Sequence, residues 1–426
     1  MATPNADSYD ALVIGAGPAG ATAATLVAQK GHKVLLLERD TFPRFKIGES
    51  LIPATVHTLK RLGMVDQLQE SRFPKKHSVQ FFTGDGRASA PFYFHETEAE
   101  DQSQTWQVLR SEMDQMMFDN AVRQGVEAHQ DVAVKQVLFD GDRAVGVRAQ
   151  FADGEVREIG AKVVVDATGQ RALLSRQLGL RTKDPHLRQA AIFTHFKGGQ
   201  RDEGIDEGAT LILQTRDRKS WFWWIPLPDD RVSIGVVGQI EHLIYGRQGD
   251  PQQTFDEELA LCPGLVPRLE GARQLMPVKV LNEFSYMTRR PAGDGWVLCG
   301  DAFGFLDPMY STGVLLALRS GEFAADTICE ALAEDDPSAE RLGAFAPRFL
   351  AGMSAFRKLV YAFYHPDFSF ARFLKQYPEH RRAVVSILVG DVFDKDFESF
   401  YRDLTTMVDL PDEGAQARVE LTPTAA

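Results

Sequence analysis

A glycine turn between a short apolar strand and a helix of small residues limits what this chain can fold into more than any other feature. Tyr9–Ile14 reads as the strand, Gly15-Ala16-Gly17-Pro18-Ala19-Gly20 as the turn, and a helix follows through Gln29. Gly31 ends the helix, and a second apolar strand, Lys33–Leu37, finishes at Glu38. Strand, helix and strand with glycines at the first turn make a βαβ unit of a dinucleotide-binding sheet. Gly15 allows the tight turn, Gly17 lets backbone approach a pyrophosphate, and Gly20 lets helix and strand pack closely. The helix N-terminus offers amide donors to phosphate. Glu38 stands at about the 20-residue spacing of an acid that accepts from both ribose hydroxyls. A GxGxxG alone is also a chance glycine-rich turn; here every flanking element is present. The motif leaves NAD and FAD open.

A later signal narrows the choice. Gly295–Asp301 is an apolar strand running into Gly300-Asp301-Ala302, and Val163–Gly169 is a buried strand ending in a turn. An Asp at such a strand end can bind the ribityl chain or pyrophosphate of an extended flavin dinucleotide, or simply cap a helix. There is one GxGxxG, so no separate NAD(P)H domain is expected. Between these signals, 131–165 and 190–237 alternate with period two. The second stretch reads as an antiparallel meander with one face covered. Helices are expected over 54–62, 111–123, 253–261 and roughly 313–334. The stretch from 341 is helical in pattern and aromatic, and reads as helical core or, as the alternative, as a cover packed over the pocket.

With 426 residues, 44% hydrophobic and 25% charged, the chain is long enough for several units and an enclosed site. Its net charge of −12 argues against nucleic acid or an anionic membrane as the main partner. Cys262, Cys299 and Cys329 are far apart and odd in number, without zinc-like spacing, so reduced thiols and no metal are expected. The polar start MATPNADSYD lacks a signal-peptide pattern, and no apolar run approaches the roughly 20 residues of a membrane span. A cytoplasmic protein is expected.

Three further stretches carry chemistry. Trp221-Phe222-Trp223-Trp224-Ile225-Pro226 reads as one strand with Trp221 and Trp223 on one face, either aromatic core or a wall that excludes water. Asp307-Pro308-Met309-Tyr310-Ser311-Thr312-Gly313 leads into a helix; the Thr312 and Gly313 amides make an anion site, unless Ser311 or Thr312 merely caps the helix. Lys75-Lys76 precedes a strand. Such a pair is usually a solvated edge, but Lys76 in a low-dielectric pocket would be a potent donor.

Together these residues resemble the flavin-dependent halogenases, in the branch acting on phenols and pyrroles rather than tryptophan. Trp221–Pro226 matches that family's WxWxIP signature, and Gly48-Glu49-Ser50 its Gly-Glu-Ser loop. Lys76, ahead of Phe81, matches its lysine, and Asp307-Pro308 with Ser311-Thr312-Gly313 its Asp-Pro loop. The resemblance spans residues 9 to about 335. It implies an α/β fold: an FAD-binding Rossmann-like domain of the aromatic-hydroxylase type, an inserted antiparallel β-sheet substrate domain and a helical C-terminus. The expected limits are 1–75, 102–188 and 285–340 for the discontinuous FAD domain, 76–101 and 189–284 for the sheet domain, and 341–426 for the helical region.

The resemblance also implies a chemistry. FADH2 arrives from a separate flavin reductase and gives a hydroperoxide with dioxygen. Chloride or bromide, held near Thr312 and Gly313, is oxidised to hypohalous acid, which travels through a tunnel to Lys76. Lys76 holds it by hydrogen bond or as a chloramine and directs electrophilic halogen onto an electron-rich arene, free or tethered to a carrier protein. Trp221 and Trp223 keep substrate from the flavin. The implied cofactor contacts are Gly15, Gly17, Ala19, Gly20, Glu38, Arg39, Gly48, Glu49, Ser50, Arg110, Asp301 and Gly313. Tyr310 stands where tryptophan halogenases carry a substrate-orienting Glu, which speaks for a phenol or pyrrole. The alternatives are an aromatic monooxygenase, a flavoprotein like geranylgeranyl reductase and a flavin-binding subunit without chemistry. Lys76 and the tryptophan strand speak against the hydroxylase.

Overall fold

The computed structural model describes residues 8–96, 103–247, 249–282 and 285–412. The expected domain limits at 101–102 and 284 lie outside the described residues.

The apolar run Tyr9–Ile14 is the centre of the first sheet, as a strand buried on both faces should be. It pairs in parallel with Val34–Leu37 on one side and Val156–Asp166 on the other, and the latter pairs in parallel with Trp296–Leu298. The register aligns Ile14 with Leu37 and Asp166, and Asp166 with Leu298. Gly15, Glu38, Ala167 and Cys299 therefore leave the sheet along one edge. Hydrogen bonds from Gly15 N to Leu37 O (2.8 Å), Ala167 N to Ile14 O (2.9 Å) and Cys299 N to Asp166 O (3.0 Å) tie them together. Such a carboxyl edge is where open α/β sheets bind their ligands. Two antiparallel strands, Ala133–Asp140 and Arg143–Gln150, extend this sheet through Val156–Asp166.

The helix Pro18–Ala28 packs on the 21-residue helix Gly313–Ala333. A Cβ at Gly20 would lie 1.8 Å from Gly15 O, and one at Gly321 2.4 Å from Ala19 O. Small residues there let turn and helices close on one another.

The second sheet runs Arg273–Gln274, Gln189–Lys197, Arg231–Gln239, Ser220–Leu227, Thr210–Gln214, Ser78–Phe82 and Phe92–Tyr93, with Lys279–Asn282 also on Gln189–Lys197. Thr210–Gln214 pairs in parallel with Ser78–Phe82, which brings the 78–93 segment into the meander. The expectation of one covered face is corrected: Ser220–Leu227 is buried at all eight positions. Trp221, Trp223 and Ile225 join the core shared with the C-terminal helices, while Phe222 and Trp224 pack with Phe255, Cys262 and Leu265. Two apolar layers sandwich the sheet, so the aromatic run is apolar at every position rather than alternating with polar residues.

After 341, the chain forms helices Ala346–Tyr364, Phe370–Gln376, Arg381–Val389 and Glu398–Leu404. They close over the second sheet: Phe370 contacts Phe81 and Phe92, and Phe363 contacts Trp221 and Tyr310.

Candidate active site

A cavity of about 450 Å³ starts at the carboxyl edge of the first sheet and ends against the tryptophan strand. Of the expected cofactor contacts, Gly15, Gly17, Ala19, Glu38, Arg39, Gly48, Glu49, Ser50, Arg110, Asp301 and Gly313 line its wall. Gly20 does not; it sits behind the turn, against Gly15.

The nucleotide end is made mostly of backbone. Gly15 adopts φ +98°, and a Cβ there would meet Ala167 O at 2.5 Å. A Cβ at Gly17 would meet only Arg44, at 3.9 Å, so the backbone is open to a ligand. No side chain caps the helix that Gly17 starts, which leaves its first amides available to phosphate. Glu38 Oε2 accepts from Ala16 N (2.8 Å) and Oε1 from Asp40 N (3.0 Å), so its carboxylate holds the glycine turn. Arg44, which the sequence did not single out, lines the wall with Nη2 at 3.5 Å from Glu38 and Nη1 at 2.7 Å from Asp114.

Arg110 and Asp166 act on loops. Arg110 donates to both oxygens of Asp114 (2.8 and 3.0 Å) and to Ile47 O (2.8 Å), fixing the loop that carries Gly48, Glu49 and Ser50. The Asp166 carboxylate accepts from Thr168 N (2.9 Å) and Leu174 N (2.7 Å), shaping the turn whose Ala167, Thr168 and Gly169 line the wall. Asp301 is on the wall, and burial pushes its carboxyl up to about 7 against the pull of Arg110. Glu49 Oε1 lies 2.8 Å from His195 Nε2, without hydrogen-bond alignment, and Oε2 has no partner among the described residues. Uncapped amides as donors and an unpartnered Glu49 oxygen as acceptor, on a glycine-lined wall, fit an extended flavin dinucleotide.

The other end is made of side chains. Lys75 is exposed, but Lys76, its neighbour on a two-residue strand, points inward and is 1% exposed. Its Nζ donates to Ser50 Oγ (2.9 Å) and Leu51 O (3.0 Å), 5.4 Å from the centre of the Phe94 ring. Burial lowers its ammonium to about 7. Lys76 is not on the cavity wall; Ser50, which is, stands between them. Ser50 Oγ is also 2.9 Å from Thr210 Oγ1, another wall residue missed in the sequence.

Trp221, Trp223 and Ile225 form the wall facing this end. Trp223 Nε1 donates to Ser233 Oγ (3.1 Å). Trp221 Nε1 donates to Tyr364 Oη (3.1 Å), whose hydroxyl donates to Asp307 Oδ2 (2.9 Å). A C-terminal residue thus ties the tryptophan strand to the Asp-Pro loop. Burial pushes Asp307 up to about 7, although Tyr364 and Met309 N donate to it. Tyr310 does not line the wall; its ring packs on Phe363 and Phe370, and its hydroxyl donates to Leu359 O (3.2 Å). Ser311, at φ +56°, and Gly313 line the cavity; Thr312 is buried and is not part of the wall. Neither Ser311 nor Thr312 caps the helix starting at Gly313, so its first amides remain available to an anion.

Cradle, carboxyl-edge cavity and inserted sheet define an FAD-binding flavoprotein, and a family model described as FAD binding domain matches residues 8–338. A 1H-pyrrole-2-carbonyl-peptidyl-carrier-protein chlorinase from Pseudomonas fluorescens is 31% identical over 410 residues, 90% of each chain. A corresponding brominase from Pseudoalteromonas luteoviolacea is 33% identical over 390 residues, 91% of this chain and 93% of its own. The solved structure of the flavin-dependent brominase Bmp2 superposes with a TM-score of 0.83 at 31% identity, covering 94% of this chain and 98% of its own. The chain belongs to the flavin-dependent halogenases: it is an oxidoreductase that uses FAD and halide to halogenate aromatic compounds. Among the described residues no helix is long and apolar enough to cross a membrane.

Proposed function

We propose that this halogenase chlorinates or brominates a pyrrole or phenol, with Lys76 handing the oxidised halogen to the ring. The observation that carries this reading is the Lys76 amine: buried, held by Ser50 and Leu51, and one side chain away from the flavin cavity. The relatives named above act on a pyrrole carbonyl borne by a carrier protein, which favours a pyrrole acyl group, free or tethered.

Bound reduced FAD, delivered by a separate reductase, supplies with dioxygen the oxidising power that turns halide into hypohalous acid. Each remaining role belongs to the chain. The uncapped amides at Gly313, beside Thr312, hold the halide. Trp221 and Trp223 keep water and arene from the flavin side. Lys76, lowered to about 7 by burial, donates a hydrogen bond to the hypohalite oxygen as the ammonium, or as the neutral amine takes the halogen from oxygen onto nitrogen, the O–X bond breaking and water leaving with the amine's proton; either keeps the halogen electrophilic. Tyr310, with its hydroxyl engaged by Leu359, packs behind the wall on Phe363 and Phe370 rather than moving a proton. Three free thiols accord with a cytoplasmic enzyme.

The test is incubation with a flavin reductase, NADH, oxygen, chloride or bromide, and a panel of pyrroles and phenols, free and as carrier-protein thioesters. The expected product carries one or more halogens, read by the isotope doublet in mass spectrometry. Hydroxylated product without halogen across the panel sinks the proposal.

A further inference from the structure

Behind Ser50, next to Lys76, two polar atoms are buried without a partner among the described residues: Thr105 Oγ1 and Gln107 Oε1. Thr105 lies directly across the strand pair from Lys76, so the two side chains share a face. Gln107, two residues on, forms a bridge with Ser50. Its amide orientation is fixed: Nε2 donates to Gly208 O (2.9 Å), which can only accept, and to Thr210 Oγ1 (2.8 Å). Oε1 therefore points away from that pair. Thr210 Oγ1, which accepts from Gln107, is also hydrogen-bonded to Ser50 Oγ, and Ser50 Oγ accepts from Lys76. Ser50 and Leu51 occupy two positions on the lysine nitrogen. What is left is, in the ammonium form, one lysine N–H to donate and two acceptors without a partner among the described residues, all of them buried.

We propose that Thr105 and Gln107 form, with Lys76, a seat for one molecule of neutral hypohalous acid. The O–H of the acid is donated to Gln107 Oε1 or Thr105 Oγ1, its oxygen faces the lysine nitrogen, and its halogen is left for the arene. Seating makes and breaks no covalent bond. An uncharged, nearly water-sized oxygen acid suits the Gln107 Oε1 acceptor, which a halide anion would meet with repulsion. The proposal rests on the reading of Lys76 given above. Thr105 and Gln107 are positioning residues: they hold the acid where the lysine can use it.

The test compares Thr105→Val, Gln107→Leu and Thr105→Ser in the full chain, using the reductase-coupled assay and a substrate found with the parent. Three quantities are read: halogenated product per NADH, hypohalite escaping to a 1,3-diketone trap in bulk solution, and flavin affinity. Thr105→Val and Gln107→Leu should each lower product per NADH by up to about a hundredfold, the scale of loss for a reactant misplaced by about 1 Å. Escaped hypohalite should rise in step, while flavin affinity and substrate KM stay put. Thr105→Ser, which restores the hydroxyl, should recover most of the yield. A loss of packing alone would not move halogen from product to trap. Retention of the parent's yield and escape in both variants means that the two oxygens hold an ordered water only, and overturns the seat. Lys76→Met, run alongside, keeps the readings apart. Product from that variant removes the lysine itself, whereas its loss beside unaffected seat variants removes only the seat. Should Gln107→Leu not fold, Thr105→Val, which keeps shape and strand propensity, carries the test.

Discussion

One cavity has two ends made by different means. The nucleotide end is backbone: a turn of six consecutive residues, the uncapped start of one helix and an acid whose carboxylate holds that turn. The lysine end is side chain: Ser50 from a loop, with Lys76 of a two-residue strand behind it, Thr210 from the second sheet, and Trp221 held by Tyr364 of the C-terminal helices. A backbone cradle depends on φ angles and missing Cβ atoms, and recognises a cofactor that many flavoproteins share. A side-chain cluster depends on partners far apart in sequence, and it can be re-tuned without touching the cradle. The two ends should therefore fail separately.

The largest separation is expected from Gly15→Ala. The new methyl would sit 2.5 Å from Ala167 O at a φ of +98°, and both obstacles are backbone. Flavin affinity should fall by about a hundredfold or more, since misplaced amides lose charge-assisted contacts of roughly 1.5–3 kcal/mol each. Fluorescence titration with FAD measures it. Parent-like binding would mean that the turn is not the cradle, and the comparison would break at its firmer end.

Lys76→Met should do the converse: product formation falls about a thousandfold, the scale of losing one preorganised donor, while flavin affinity stays within about threefold. Its stability carries a sign. The folded amine titrates at about 7 against 10.5 for an ordinary lysine, so the unfolded chain binds more protons between those values. The parent gains stability as pH rises from about 7 to 10.5; methionine does not titrate. The variant's stability relative to the parent should thus fall across that window, as read by urea unfolding at stepped pH. A pH-independent difference would put the amine in water and remove the buried donor.

The same division explains what the sequence could announce. Tyr9–Glu38 was legible because strand, turn, helix and acid are contiguous, and periodicity and glycine spacing report contiguous structure. Lys76 was visible only through its resemblance; as a residue it looked like half of a solvated pair. The side-chain alternation that exposes Lys75 and buries Lys76 depends on pairing with Thr105–Trp106, about thirty residues away. Gln107, Thr210, Arg44 and His195 gave no signal, because a polar residue in a strand or loop does not say what it will face. Trp221 and Trp223 were placed on one face by alternation, yet burial of the opposite face was not legible, since the apolar layer over Phe222 and Trp224 comes from 255–265. The aromatic C-terminus read as core, and much of it is; Tyr364 differs by its hydroxyl, whose partners lie 57 and 143 positions away.

Tyr364→Phe gives the smallest and sharpest case, because it keeps the ring and removes one oxygen. Trp221 Nε1 loses its acceptor and Asp307 Oδ2 its donor, both in the interior, for a stability loss of about 1–3 kcal/mol. Asp307, deprived of a hydrogen bond that lowers its pKa from within a site that raises it to about 7, titrates higher still and is less ionised at neutral pH. Among the described residues the cradle shares no hydrogen bond with these three, so flavin affinity should not move. Product per NADH should drop a few-fold, because the tryptophan wall loses the contact that fixes its indole and the Asp-Pro loop loses an anchor at the same stroke. Should flavin affinity fall with the yield, the tryptophan strand and the cradle are mechanically one, and the two ends of the cavity are not separable after all.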